Sequence, residues 1–126
     1  MDARRAAWLI AAGRVALGAA ILGAPARVTS RWLGSENARR PALQDLARGM
    51  AARDIALGLA TLQTLDDPLV GPRLQLACAF ADGVDALATL LARRHLPRTG
   101  ALGTVAVAGG AAAAGLYTSH RLAHAG

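Results

Sequence analysis

From Leu76 to Leu91 the chain reads LACAFADGVDALATLL, an almost unbroken apolar run with two aspartates, Asp82 and Asp85, near its middle. A carboxylate is costly in such surroundings unless a partner or a proton neutralises it. Extended back to Leu74 and on to Ala92, the run approaches the ~20 residues that an α-helix needs to cross ~30 Å of hydrocarbon. Its reading decides the fold, because three more runs resemble it. AAWLIAAGRVALGAAILGA spans Ala6 to Ala24 and is interrupted only by Arg14. GMAARDIALGLATLQTL spans Gly49 to Leu65 and carries Arg53 and Asp54. ALGTVAVAGGAAAAGLYTS, Ala101 to Ser119, has no charged residue.

The joints agree with four helical crossings. Pro25, Pro41, Pro68, Pro72 and Pro97 fall between the runs, where helices start and stop. Trp8 and Tyr117 sit near run ends, the level at which amphipathic rings favour the membrane interface. A water-soluble Ala-rich bundle would need a charged outward face on every helix, and the last run has none. Composition points the same way: 54% of the 126 residues are hydrophobic but only 3% aromatic, so small side chains must do the packing. The second run is marginal alone, since a central Arg or Asp costs roughly 2.5–3.5 kcal/mol while each Leu, Ile or Val returns only about 0.3–0.6.

All fourteen basic side chains are Arg, but they form no stripe with interleaved aromatics, which excludes a nucleic-acid surface. They gather between the runs, the pattern of loops facing anionic headgroups, so the expected partner is the lipid bilayer. Arg27, Arg31, Arg39, Arg40, Arg93, Arg94 and Arg98 lie in the first and third connections, against Arg4, Arg5, Arg73 and Arg121 opposite. This asymmetry places both termini outside an inner (cytoplasmic) membrane. Arg14 in mid-run argues against a cleaved signal peptide. The connection Pro25 to Arg40 reads either as a solvated loop or as a short amphipathic helix, with Val28, Trp32 and Leu33 toward lipid and Arg27 and Arg31 toward headgroups.

Helical periodicity then sorts the polar residues. Gln75, Cys78, Asp82, Asp85 and Thr89 fall on one stripe of the third run, which must face another helix rather than lipid. Ala47, Ala51, Asp54, Gly58 and Thr61 share a face of the second, and Ala7, Ala11, Arg14, Gly18 and Ile21 one of the first; both are small-residue surfaces for close helix approach. On the fourth the expected packing face is Gly103, Val107, Gly110 and Ala114. Arg14, Asp54 and Asp82 lie near mid-depth, with Asp85 one turn away, level with Arg53 and on the side of Arg48. Three arginines and three aspartates would thus neutralise one another.

Such a cluster can be a fastener that fixes register, or a site, because ionisable residues inside membranes are commonly functional. The expected binding set is Arg14, Arg48, Arg53, Asp54, Asp82, Asp85 and Cys78. The favoured function is binding or transport of a small polar or anionic group. One alternative is acid/base catalysis on a lipophilic substrate, an isomerisation, cyclisation or epoxide opening, with Asp82, Asp85 and Asp54 as candidate catalytic residues. The other is an accessory or structural subunit that docks through its small-residue faces. Transport by so short a chain calls for a homo-oligomer or a membrane partner. Cys78, the only cysteine, lies on this stripe and is expected to react with a water-soluble maleimide in intact membranes, since a site reached by substrate should be hydrated. No cofactor or metal is expected: the His120/His124 pair lacks a nearby acidic or thiol ligand, and the glycines of the first run form no phosphate-binding pattern.

At AARDIALGLATL, CAFADGVDALATLL and LPRTG the chain resembles a family of small, uncharacterised actinobacterial integral-membrane proteins. Arg53-Asp54 followed by Gly58, and Asp82 with Asp85, carry the resemblance, which covers the second and third runs well and the rest loosely. It implies a four-helix membrane protein and supplies no reaction, ligand or partner. The expectation is therefore a single integral-membrane domain over residues 1–126, all-α, a four-helix transmembrane bundle with helices near 5–24, 43–65, 73–92 and 100–120.

Overall fold

Helix starts follow local chemistry. In the computed structural model, which describes residues 2–124, α1 (Ala3–Gly23) begins after Asp2, whose carboxylate accepts from the backbone N–H of Arg5 at 2.7 Å. Pro25 opens α2 (Pro25–Leu33) and Pro41 opens α4 (Pro41–Thr64), each where the missing N–H has no helical partner anyway. A short α3 (Ser35–Ala38) lies between them. Asp67 accepts from the N–H groups of Leu69 and Val70 at 2.8 and 2.9 Å and so starts α5 (Val70–Ala92), which ends in a 3₁₀ turn at Arg93–His95. Pro97 precedes α6 (Arg98–Ala123). Among the described residues there is no strand.

Pro72 was expected in a connection, but α5 starts earlier than the apolar run and takes it into its first turn. There a missing N–H leaves no bond unmade. Its carbonyl accepts from Ser119 of α6 at 2.8 Å.

The side chains are arranged inside out relative to a water-soluble bundle. The buried positions hold Ala, Gly, Thr, Gln, Arg and Asp, and the largest side chain with almost no exposure is Thr118. The large apolar residues face outward: Phe80 is 74% exposed and Val107 71%, and Leu102, Leu116 and Tyr117 are more than half exposed. In water this surface would be an aggregation hazard; in lipid it is the solvated one. Three helices, α1, α5 with its 3₁₀ extension and α6, are long and apolar enough to cross a membrane. The count falls short of the expected four because α4, though 24 residues long, carries Asp45, Arg48, Arg53 and Asp54.

α1 packs chiefly on α4, and α5 on α6. Close approach explains both pairings: a Cβ on Gly58 would lie 2.8 Å from the Ala11 carbonyl oxygen, and one on Gly18 2.7 Å from that of Ala51. Gly115 plays the same part against Ala79 of α5. The buried residues of α1 and α4 match the predicted faces, Asp54 of α4 staying slightly open. On α6 the predicted face is wrong. Ala101, Gly115 and Thr118 are buried instead, one residue around the helix, because Thr118 turns inward to donate to Gln75 Oε1 at 3.1 Å. The first connection is helical, as one of the two readings had it, and its Val28 packs on the bundle cluster of Ile21, Ala47 and Ala51. At Gly100 a Cβ would collide with the Arg31 and Trp32 carbonyls, so α2 rests directly on the start of α6.

Two predictions follow from these contacts. Gly58→Ala should lower stability by about 1–3 kcal/mol in SDS-titrated unfolding, since backbone must move to admit the methyl group, whereas Gly13→Ala, with nothing within 4 Å, should not lower it. At the opposite end Arg4 holds the Asp66 carboxylate at 2.6 and 2.8 Å, which keeps the acid below its ordinary range. A lowered acid stabilises the fold above its unfolded value and ceases to do so as pH falls through its folded one. Melting curves of Asp66→Asn and the parent should therefore differ slightly at neutral pH and converge in acid.

Candidate functional site

Five charged side chains form one alternating chain across α1, α4 and α5. Arg14 of α1 donates from Nη1 to Asp54 of α4 at 3.0 Å and from Nη2 to Asp82 of α5 at 2.5 Å. Arg53 of α4 donates from Nη2 to the same Asp54 oxygen at 3.2 Å, and its two η nitrogens grip Asp85 at 2.7 and 3.3 Å. The order is Asp82, Arg14, Asp54, Arg53, Asp85. Arg14 is the deepest cation, its side chain 7% exposed, and Arg53 is about a third exposed. Such paired, charge-assisted bonds are what make burial tolerable.

The helix geometry explains the convergence. The small residues above and below Arg14 and Asp54 bring α1 and α4 close enough for direct contact. Asp82 and Asp85, three residues apart on α5, then meet two successive arginines.

Two expected members are absent. Arg48 reaches Asp45 one turn back on its own helix at 3.7 Å, and its side chain is 48% exposed. Asp85 was expected level with Arg53 and on the side of Arg48, but Arg48 turns to Asp45 of its own helix and does not reach the cluster. Cys78 is buried a turn from Asp82 toward the termini, with its Sγ 3.7 Å from Thr61 Oγ1. That part of the bundle is closed: Thr118 and Gln75 are bonded beside it, and Gly58 lies against α1. His120 and His124 stack at the end of α6 with ring centroids 4.3 Å apart.

Without Arg48, two guanidiniums face three carboxylates. With every group ionised, one negative charge is left over, the opposite of the neutral cluster expected from the sequence. Asp54 and Asp82 each commit one oxygen to arginine; the second has no hydrogen-bond partner among the described residues.

On the side away from Cys78 the cluster meets a hollow of about 480 Å³, within the ~300–1,000 Å³ typical of small-molecule sites. Its walls are Ile10, Leu17 and Ile21 of α1, Val28 and Trp32 of α2, Met50 of α4, and Val107, Ala108 and Ala111 of α6. Among the described residues, Arg14, Asp54, Asp82 and Asp85 are the only charged ones lining it. Leu17 and Val107, both largely exposed, flank its mouth between α1 and α6. A second hollow shares Val28, Trp32, Gly103 and Thr104 with the first and carries it on toward Arg31 and Thr99. The Trp32 Nε1 donor at this junction is buried with no partner. These wall residues were not legible as a site, since each is an ordinary apolar residue; in the sequence Ile21, Gly103 and Val107 read as helix-packing positions, and Val28 and Trp32 as one face of an amphipathic connection.

Comparison with protein-family models, curated proteins and solved structures finds no match.

Arg14→Gln should destabilise the protein by about 3–5 kcal/mol, because two carboxylates lose their buried partner, while Arg48→Gln should change stability by no more than about 0.5 kcal/mol; SDS-titrated unfolding measures both. A membrane-impermeant maleimide should leave Cys78 unmodified in native membranes and label it after denaturation. Rapid native labelling would contradict the closed packing around Thr61.

Proposed function

We propose that the protein is an integral-membrane binding or transport protein for a small lipid-soluble molecule with a polar group. The hydrocarbon part lies in the hollow between α1 and α6, and the polar group rests on Asp54, Asp82 and Asp85. One observation carries this reading: the wall of the hollow is apolar apart from Thr29, Thr104 and the Trp32 indole N–H, and its charges all come from the Arg/Asp chain. A mere fastener between helices has no use for such a space, and the mouth between Leu17 and Val107 faces the lipid-exposed surface. Of the small polar or anionic group expected from the sequence, the anionic choice loses its basis with the departure of Arg48 from the cluster.

In this proposal α4 is the fourth crossing. Its Arg53 and Asp54 are paired within the bundle, which lowers the cost that its composition sets against insertion. The contact of α2 with the start of α6 brings the arginine-rich first and third connections to one end, which we assign to the cytoplasm, with both termini outside. Acid/base chemistry on a bound lipophile is a second reading, favoured by the two carboxylate oxygens of Asp54 and Asp82 that lack protein partners beside the hollow.

The test uses protein in nanodiscs of zwitterionic lipid, with Trp8→Phe so that Trp32 is the sole tryptophan reporter. Decan-1-ol should alter Trp32 fluorescence saturably, and Ala108→Phe, which fills the hollow, should weaken the response on the order of tenfold. An unaltered response in Ala108→Phe would place binding elsewhere. Recovery of a probe of altered mass would move the assignment from carrier to enzyme.

A further inference from the structure

The charges at the end of the hollow discriminate among ligands more sharply than its shape does. Among the described residues, the titratable groups facing Asp82 and Asp85 are Arg14 from α1, Arg53 and Asp54 from α4, and Cys78 one turn below on α5 itself. α6 contributes Thr104, Ala108 and Ala111 to the wall and no charge. α2 contributes Val28, Thr29 and Trp32, and its Arg31 belongs to the far hollow. The three carboxylates thus outnumber the guanidiniums in reach of them, and the unengaged oxygens of Asp54 and Asp82 are acceptors in want of donors.

An uncompensated negative charge among apolar helices is costly, and a proton or a cation of the ligand can neutralise it. A ligand that brings its own positive charge and N–H donors can replace that proton; an alcohol supplies a donor without charge, and a carboxylate adds a second surplus charge. Resting on the binding role proposed above, we infer that the hollow selects a lipophilic monocation, an alkylammonium, and takes it up in exchange for one proton. The exchange balances: the ammonium and the protonated cluster give the ammonium–carboxylate pair and a released proton. Entry is sideways from the lipid between Leu17 and Val107, which suits an amphiphile already dissolved in the bilayer.

Decylamine, decan-1-ol and decanoate, titrated into the same zwitterionic nanodiscs, separate the possibilities. The amine should bind on the order of tenfold more tightly than the alcohol at neutral pH, and decanoate no better than the alcohol. Amine affinity should rise from mildly acidic to neutral pH, and calorimetry in buffers of different ionisation enthalpy should show close to one proton released per amine. Asp85→Asn, checked for helicity by circular dichroism, should bring the amine-to-alcohol ratio near unity; Asp82→Asn repeats the test if the first variant does not fold. Alcohol binding with no amine preference, a preference that survives both substitutions, or no released proton would overturn the cation inference and leave the hollow as a binding site. Failure of all three probes to bind would overturn both. Cross-linking of Val107→Cys between copies that blocks the amine would assign the mouth to a second copy of the chain and overturn the lateral entry.

Discussion

Arg14 is the one side chain on which the arrangement of the helices turns. It is buried on α1, yet its two carboxylate partners come from different helices, Asp54 from α4 and Asp82 from α5. α1 and α4 already pack through glycine contacts, and α5 packs on α6 through Gly115 and Thr118. Direct α4–α5 packing is sparse by comparison. The guanidinium therefore ties one helix pair to the other, with the Arg53–Asp85 pair as a second tie beside it. Where apolar association between helices is weak because lipid is as apolar as the helices, directional bonds of this kind set which pairs meet and at what height.

That division of labour also leaves room. Two pairs that closed along their whole length would have no space beside the charges. Here small residues seal the bundle from the cluster toward the termini, and on the other side α2 leans across to α6 and the helices part. The Arg/Asp chain is at once the joint between the pairs and one end of the hollow, which is why fastener and site are not exclusive descriptions of it.

Much of this was legible in the sequence because periodicity reports which face of a helix is buried. The faces Ala7/Ala11/Arg14/Gly18/Ile21 and Ala47/Ala51/Gly58/Thr61 are the buried ones, and the partnership of Arg53 with Asp85 follows from depth alone. Depth is a single coordinate, however, and Arg48 shows its limit: expected on the side of Asp85, it bonds Asp45 of its own helix instead. The face of α6 was misread because Ala and Gly surround that helix almost evenly, so one hydroxyl, that of Thr118, chooses the rotation. The hollow had no signal of its own, for an absence of packing is a property of three dimensions.

The polarity of α4 has a consequence for how the molecule is made. The helices leave the ribosome in chain order, and α1 carries an unpaired Arg14 until α4 supplies Asp54. α4 then brings a surplus of its own, Arg53, whose strongest partner is Asp85 on the helix still to come. Each newcomer thus settles the charge left by its predecessor. In the four-crossing arrangement proposed above, the nascent chain is incompletely committed to the bilayer until α5 has emerged, and quality-control machinery that reads exposed intramembrane charge would find Arg14 or Arg53 unpaired on every shorter intermediate.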